Sequence, residues 1–324
     1  MPRQARLDAP GTLHHVILRG MERGRIVRDE ADREEFLARF GKGVGETGTR
    51  IYAWALLPNH AHVLLRSGPA GLPRLMRRFL TGYAGYFNRR HRRHGHLFQD
   101  RYKSIVCEED AYFQELVRYI HLNPLRAHLV ADMPALDRYP WSGHATVLGH
   151  RPYPWQDRTY VLGWFDQGQR AAVRAYRRYL EEGIGQGRRP ELVGGGLVRS
   201  LGGWAEVQAV RQRGRPVLAD PRILGTGAFV QDMVQAADER LRVVHQRDER
   251  QRIAREAIAD ECRKAGVGME ELRLGSRRHP LPRIRTRLAV RAVREWGLSL
   301  ADAARELGIS TSGIAKAVGR GVRE

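Results

Sequence analysis

The 324-residue sequence predicts an α+β fold, in which an antiparallel sheet with flanking helices is followed by an α-helical region and a C-terminal helix-turn-helix. Three observations lead to this prediction. Between residues 13 and 123, strand-like and helix-like patterns follow in the order strand, helix, two strands, helix, strand, helix, which is typical of a ferredoxin-like or RNA-recognition-type domain. A Gly-rich, irregular stretch covers residues 185–227. The last fifty residues contain three helical patterns separated by short turns, the arrangement of a helix-turn-helix.

The N-terminal elements are predicted from apolar periodicity. Four apolar or β-branched segments read as strands: 13–19, 51–57, 60–65 and 101–107. Helical spacing of apolar residues predicts helices over 29–40 and from Leu72 to at least Tyr83. A third helix is predicted to begin after a cap at Asp110 and to end at Asn123, because Pro124 disfavours helical backbone in the residue before it.

The organisation of the chain predicts three domains. The first covers 1–150 and ends at a loop rich in Gly, Pro and aromatic residues. The second, 151–272, is expected to be a mostly helical connector or accessory region, to which no chemistry is assigned. The third, 273–324, contains the helix-turn-helix, whose second helix is capped by Ser299 and ends at Gly308.

Composition indicates a polyanionic partner. Lys and Arg number 56 against 36 Asp and Glu, a formal charge of +20, which exceeds what solubility requires. The two cysteines are far apart, so a disulfide framework and a cysteine zinc site are excluded, and a reducing compartment is expected. No apolar run has the length of a membrane span, and no secretory signal is evident, so we expect a cytoplasmic, nucleoid-associated protein.

Two regions are predicted to bind nucleic acid. From Arg66 to Lys103 there are ten Lys or Arg against one acid, Asp100, and interleaved aromatic residues are expected to stack on bases: Tyr83, Tyr86, Phe87, Phe98 and Tyr102. The tail presents a polar tip with nearby cations. The predicted DNA contacts are Arg19, Arg77, Arg78, Arg89, Arg90, Arg101, Lys103, Arg118, Arg126, Ser310, Thr311, Ser312, Lys316 and Arg320. A solvated basic face and a three-helix end domain without DNA contact are the simpler alternatives.

Four further residues could carry chemistry. His60 and His62 are two apart on a predicted strand, so both imidazoles share one face and could bind one ion. Two histidines alone are a weak signal, because surface and core histidines are common. Tyr119 and Asn123 are four apart on a predicted helix and therefore share a face. From local sequence alone, a helix C-cap is the stronger interpretation of Asn123.

Together these residues form a consistent set. A divalent cation, Mg²⁺ or Mn²⁺, would neutralise a phosphate oxygen, and two imidazoles with one amide leave coordination positions for phosphate and water. A phenol nearby could then attack phosphorus and keep the bond energy in a covalent phosphotyrosine link.

Four sequence segments resemble the motifs of a known protein family. They are 14–20 (HHVILRG), 57–63 (LPNHAHV), 95–103 (GHLFQDRYK) and 118–127 (RYIHLNPLRA). Residues 1–150 resemble, in order and spacing, the REP-associated tyrosine transposases, which are single-tyrosine HUH endonucleases related to insertion-sequence transposases. The segment 220–225 (DPRILG) is similar to the accessory region of longer members.

The resemblance implies a function for these residues. His60 and His62 match the HUH pair, in which Ala61 replaces a usually bulky residue, while Tyr119 matches the nucleophile and Asn123 the third metal ligand. A site-specific single-strand DNA endonuclease and strand transferase is then expected, acting at hairpin or palindromic DNA through a 5′-phosphotyrosine and a divalent metal. Relatives act as monomers or as dimers, and the sequence does not decide between these states. Two other classes stay open: a non-catalytic DNA-binding regulator, and a metal-dependent RNA nuclease that uses water.

Overall fold

The computed structural model describes residues 7–99, 101–187, 189, 192, 220, 222–276 and 278–320. It divides into two compact units, Met1–Val234 and Gln235–Glu324. The predicted boundary near residue 150 falls inside the first unit, because side chains after it, such as Val161, Tyr176 and Leu180, belong to the same buried core as the sheet. No helix in the described ranges is both long and apolar enough to span a bilayer.

The first unit is built on one sheet. Its strands are β1 (Leu13–Arg19), β2 (Arg50–Leu56), β3 (His60–Arg66), β4 (Lys103–Cys107) and β5 (Ile223–Leu224). In the described part of the chain they are ordered β2-β3-β1-β4-β5, and the first three pairings are antiparallel. The α+β prediction and its ferredoxin-like order of elements are confirmed. The sheet is nevertheless mixed, because β5 pairs in parallel with β4 at an edge that sequence patterns did not predict.

Helices cover both faces of this sheet. They are α1 (Glu30–Thr47), α2 (Leu72–Arg90), α3 (Glu109–His121), α4 (Asn123–Arg126), α5 (Met133–Asp137), α6 (Gly143–Leu148), α7 (Arg158–Gly163) and α8 (Gln169–Glu182). On one face, α1 and α2 pack on alternate residues of β1, including Val16 and Leu18. On the other face, α3 packs on the remaining set, including Leu13 and Ile17. The alternation of side chains along β1 therefore assigns each of its residues to one layer.

The predicted third helix needs a correction at both ends. It begins at Glu109, with Glu108 rather than Asp110 at the N-cap, and it ends at His121 rather than Asn123. Asn123 instead begins the short helix α4, with Pro124 in its first turn. Proline fits the first turn of a helix because the N–H that it lacks has no partner there, so the chain restarts a helix instead of leaving helical backbone.

The second unit is helical. The long helix α9 (Gly227–Lys264) begins before the boundary between the units, and its residues from Gln235 onward belong to the second unit. It is followed by α10 (Met269–Arg273), α11 (Leu281–Arg294), α12 (Leu300–Leu307) and α13 (Thr311–Arg320). Ser299 caps α12 through the backbone N–H of Asp302. Gly308 ends α12 with a φ of +65°, and a Cβ there would collide with the carbonyl oxygen of Arg273, so this turn requires glycine. Ala254, Ile258 and Cys262 of α9 share one core with the last three helices, so the unit is larger than the predicted 273–324.

Candidate active site

The two histidines of the predicted pair lie at the start of β3. In the register of β1 with β3, His60 is opposite Arg19 and His62 is opposite Ile17, so all four side chains share the sheet face that α3 covers. The ring centres of His60 and His62 are 5.1 Å apart and the rings are nearly perpendicular, at 82°. His62 is buried, whereas His60 is half-buried at the edge of the site.

Tyr119 reaches this site from α3. Its ring centre is 5.6 Å from that of His62, with the rings nearly perpendicular. The ring is half-buried, while the apolar stripe beside it, which includes Phe113 and Ile120, is fully buried as predicted. The sheet face and the helix therefore bring the predicted nucleophile and the histidine pair together.

Asn123 follows Tyr119 by one turn, across the junction of α3 and α4. Its side-chain N–H donates to the carbonyl oxygen of Tyr119 at 2.9 Å. This bond uses the amide nitrogen and leaves the amide oxygen as a donor atom for a ligand. The structure thus gives Asn123 the helix-end contact that local sequence favours, and this contact involves its amide nitrogen.

Both histidines of the pair favour the neutral ring that metal binding requires. Burial lowers the pKa of His60 to about 4, and the nearby Arg19 charge lowers it as well. Burial also lowers the pKa of His62 well below its usual value, with further repulsion from His15, His60 and Arg19. At neutral pH both rings are therefore uncharged.

The donor set fits a divalent cation. The Asn59 side-chain nitrogen donates to the carbonyl of Arg23 at 3.2 Å, so the Asn59 oxygen faces His60 and accepts from its Nδ1 at 2.7 Å. Nε2 of His60 is thereby the nitrogen that can bind a cation. With nitrogen–metal bonds of about 2.1 Å, two imidazoles on one ion have ring centres roughly 4.5 to 5.5 Å apart, in agreement with the observed pair.

No group of three or more His, Cys, Asp or Glu side chains in the described ranges is arranged to hold a metal ion. An amide ligand such as Asn123 is outside that set of residue types.

His15 is the site residue that sequence reasoning missed. Its ring lies between His62 and the backbone of Leu192, and its centre is 6.0 Å from the ring of Tyr119. The sequence offered one signal for His15: residues 15, 17 and 19 are each two apart on a predicted strand, so their side chains share one face of β1. Only the register with β3 shows that this face is the one that carries His62.

The guanidinium of Arg126 also lies near Tyr119. The Arg126 guanidinium carbon is 5.5 Å from the centre of the Tyr119 ring, and Nη2 donates to the carbonyl of Gly183 at 3.3 Å. Nε and Nη1 of Arg126 are buried and have no hydrogen-bond partner in the described part of the chain. Burial lowers the pKa of Arg126, and the Tyr119 phenolate opposes that shift.

Several predicted DNA contacts are exposed. These are Arg19, Arg77, Arg89, Arg101, Lys103, Ser310, Thr311, Ser312 and Lys316. Arg78 is also exposed and forms an ion pair with Glu46 at 2.8 Å. Arg320 ends α13, but its side chain is outside the described residues.

Two predicted contacts have structural roles instead. Arg118 is buried, where it pairs with Glu115 and lies 4.1 Å from the centre of the Tyr179 ring, so it is not available to DNA. Arg90 pairs with Asp29 and with the buried carboxylate of Asp32. Both arginines form ion pairs with acidic side chains of the same protein. A count of basic residues along the sequence does not reveal such pairs.

The expected stacking surface is also corrected. Tyr83, Phe87 and Tyr102 are buried in the core between the sheet and α1 and α2, and the Tyr83 hydroxyl donates to the carbonyl of Ile26 at 2.6 Å. Tyr86 and Phe98 are half-buried against the same core. Spacing within the basic segment reflected helix packing rather than a row of base contacts.

A basic groove lies beside α2, on the face of the sheet opposite to α3. Arg74, Arg77 and Arg101 line it together with Phe98, and its cavity volume is about 990 Å³. The wall segment 97–99 pairs with the end of β1, where Gln99 N–H donates to the carbonyl of Arg19 at 2.9 Å. Because Arg19 is opposite His60, the groove and the histidine pair lie at the same end of β1.

Comparisons with known proteins give one family match. Residues 11–123 match the family model described as "Transposase IS200 like". No curated protein is significantly similar to this chain. The structure of a REP-associated tyrosine transposase bound to a REP hairpin overlaps at a TM-score of 0.39 and 17% identity, over 48% of this chain and 90% of that one. A TM-score below 0.5 does not establish a common fold, so the comparisons show a similarity of residues 11–123, about a third of the chain, to the IS200-like transposase family.

Proposed function

We propose that this protein cleaves and rejoins single-stranded DNA, with Tyr119 as the nucleophile. The observation that supports this most directly is the approach of Tyr119 to His62, with ring centres 5.6 Å apart on the face of the sheet that α3 covers. A phenol next to two neutral imidazoles suits phosphoryl transfer, and the family match to transposases is consistent with that reaction.

The proposed step is an in-line displacement. The phenolic oxygen of Tyr119 bonds to phosphorus as its proton leaves to solvent, and the bond from phosphorus to the 3′-oxygen breaks. The 3′-oxygen takes up a proton, and the 5′-phosphate stays on the tyrosine. The reverse attack by a 3′-hydroxyl rejoins the strand without ATP, because one phosphodiester is exchanged for another.

His60, His62 and Asn123 would hold the divalent cation, Mg²⁺ or Mn²⁺, through two ring nitrogens and one amide oxygen. When bound, it supplies positive charge to a non-bridging phosphate oxygen. Arg126 adds a half-buried positive charge beside the tyrosine, where negative charge develops during attack.

We assign the DNA path to the basic groove. Arg77 and Arg101 would neutralise phosphates there, and the exposed side chains of Arg19 on β1 and Lys103 on β4 would extend the basic surface. Hairpin or palindromic DNA is the substrate that the resemblance of residues 1–150 implies.

The C-terminal helices are proposed as a second DNA-binding element. Ser310, Thr311 and Ser312 are exposed at the start of α13, and Lys316 follows on the same helix. A helix that begins with small polar residues and carries a free cation suits entry into a groove of duplex or hairpin DNA. This element would supply affinity, while the sheet and α3 supply chemistry.

Tyr119→Phe tests the proposal. This change removes one hydroxyl and keeps the ring, so the protein should fold and bind DNA but should neither cleave a labelled single-stranded hairpin in Mn²⁺ nor form a covalent adduct. Tyr112→Phe is the matched control on the same helix and should cleave normally. The readout is denaturing electrophoresis.

Each alternative function predicts a different pattern of cleavage products on the gel. A nuclease that uses water would still cleave after Tyr119→Phe, and a regulator would show no cleavage in the wild type. A covalent band that persists in Tyr119→Phe would refute Tyr119 as the nucleophile.

A further inference from the structure

His15 occupies a position that the proposed chemistry does not yet use. Its buried ring bridges His62 and the main chain, with Nε2 2.9 Å from Nδ1 of His62 and Nδ1 3.1 Å from the carbonyl oxygen of Leu192. The rings of His15 and His62 are 5.1 Å apart and inclined by 29°. His15 is therefore fixed on both of its nitrogens, one of which contacts a proposed metal ligand.

The chemistry of these two bonds determines where the protons are. A carbonyl oxygen only accepts, so Nδ1 of His15 carries a proton and donates it to Leu192. In a neutral ring the other nitrogen then has a lone pair, and Nε2 of His15 must accept from His62. Nδ1 of His62 is consequently protonated, and Nε2 of His62 has the lone pair that a cation needs.

The other histidine of the pair, His60, has the same arrangement of hydrogen bonds with a different residue. Nδ1 of His60 donates to the Asn59 oxygen, which leaves Nε2 of His60 as the metal-binding atom. Both rings of the pair thus have Nδ1 occupied by a hydrogen bond within the protein. Such bonds fix the tautomer and orientation of a metal-binding imidazole.

We propose that His15 is a positioning residue, which holds His62 in the Nδ1–H tautomer so that Nε2 binds the divalent cation. This inference rests on the proposed function, because it concerns a ligand of the proposed metal site. His15 is not itself a proposed metal ligand, and it acts on the metal site through His62.

Two substitutions at His15 distinguish the roles of its two ring nitrogens. In His15→Gln the amide oxygen takes the place of Nε2 and can still accept from His62. In His15→Asn the shorter amide takes the place of Nδ1, so it keeps the Leu192 contact but loses the bond to His62. We expect Mn²⁺ to bind about 10- to 100-fold more weakly to His15→Asn, and binding to recover to within a few-fold of wild type in His15→Gln.

Mn²⁺ affinity of the full-length protein, measured by isothermal titration calorimetry, is the readout. Cleavage by His15→Asn should recover at saturating Mn²⁺, because the reacting groups are intact, and circular dichroism melts check that each variant is folded. His60→Ala identifies the site. If His60→Ala loses Mn²⁺ binding while His15→Asn binds like wild type, this inference is wrong and the metal site stands. If wild type binds no Mn²⁺, both the inference and the proposed site are wrong.

A measurement on the metal-free wild-type protein avoids any effect of substitution on folding. Two-dimensional NMR that correlates imidazole nitrogens with ring protons distinguishes the two tautomers of a ¹⁵N-labelled histidine. His62 should have its proton on Nδ1. A proton on Nε2 of His62, with Nε2 of His15 acting as the donor, would overturn the assignment.

Discussion

At the scale of single residues, the Tyr119 ring is close to His62 of β3, with 5.6 Å between ring centres, and to Arg126 of α4, whose guanidinium carbon is 5.5 Å from the ring centre. Two histidines at i and i+2 on a strand share a face whatever the rest of the fold does, so His60 and His62 were predictable. His15 and Arg126 required the register of β1 with β3 and the path of the chain after α3. Arg118 was misassigned because the ring of Tyr179, which covers its guanidinium, is distant in sequence, although Glu115 three residues earlier on the same helix was a local signal of an ion pair.

Arg126 gives a prediction at this scale. Arg126→Gln should slow cleavage on the order of 10²-fold, because it removes a half-buried positive charge 5.5 Å from the centre of the Tyr119 ring. Single-turnover cleavage with the protein saturating measures the reaction step without the contribution of DNA affinity. Arg138→Gln, at an exposed arginine after α5, removes the same charge and should leave the rate within about twofold. Equal rates for both variants would remove Arg126 from the mechanism.

At the scale of elements, the helix that carries Tyr119 is fixed by a buried polar chain. The hydroxyl of Tyr176 on α8 lies 2.8 Å from Nδ1 of His121 on α3 and 2.7 Å from Nδ1 of His144 on α6. Nε2 of His144 then contacts a carboxylate oxygen of Asp137 at 2.9 Å. The chain thereby connects the tyrosine helix to three elements that follow it in sequence.

Tyr176→Phe should destabilise the first unit by about 1–3 kcal/mol, since it leaves two buried ring nitrogens without their shared partner. The free energy of unfolding in urea is the measurement. Tyr153→Phe is the control, because its half-buried hydroxyl contacts the Arg151 side chain and, at a long 3.5 Å, the carbonyl of Pro140, and it should cost less than about 0.5 kcal/mol. Similar losses of unfolding free energy in both variants would show that these buried hydrogen bonds of Tyr176 contribute no stability of their own.

The C-terminal element gives a prediction about salt. Lys316→Gln should lower the slope of log affinity for hairpin DNA against log salt by about 0.9, the value for one lost phosphate contact. Arg252→Gln is the matched control on α9, because that side chain pairs with Glu249 and Glu256. Fluorescence anisotropy over a salt series measures both slopes. If the two variants keep the wild-type slope, Lys316 makes no phosphate contact.

The order of elements was predictable because each has a local signal. Apolar alternation marked β1 to β4, helical spacing marked α1 to α3, and caps and glycine marked α12 and its end. The two-residue strand β5 has no such signal, because its pairing with β4 is a non-local contact across more than a hundred residues. The misplaced end of α3 has a related cause, since Pro124 stops one helix or starts another according to the backbone around it.

At the scale of the whole molecule, buried histidines link stability to pH. Burial lowers the pKa of His14 to about 4, and it lowers the pKa of His121 and of His144 as well, although the bond to Asp137 partly opposes the shift of His144. Below pH 6.5 the unfolded chain binds protons that the folded chain does not. Stability is therefore full above this pH and decreases as the pH falls towards the folded-state values.

Each such histidine can contribute up to about 1.4 kcal/mol of lost stability per pH unit in that window. Urea unfolding between pH 7.5 and 5 should show the loss beginning near pH 6.5. His144→Gln removes one of the titrating histidines. It should therefore reduce the slope of the unfolding free energy against pH by the contribution of one proton, whatever its effect on absolute stability. A free energy of unfolding that stays constant or increases towards pH 5 would contradict this account.

The central claim is that Tyr119 becomes covalently linked to DNA, and one measurement tests it directly. Trypsin cuts after Arg118 and Arg126, which releases residues 119–126 as a peptide with a single tyrosine. The wild-type protein is incubated with Mn²⁺ and a hairpin whose strand downstream of the cut is short, then digested with trypsin and nuclease and analysed by mass spectrometry. The account predicts this peptide with the mass of a 5′-linked nucleotide added to Tyr119. A nucleotide on any other peptide, or cleaved DNA that ends in a free 5′-phosphate with no adduct, would contradict it.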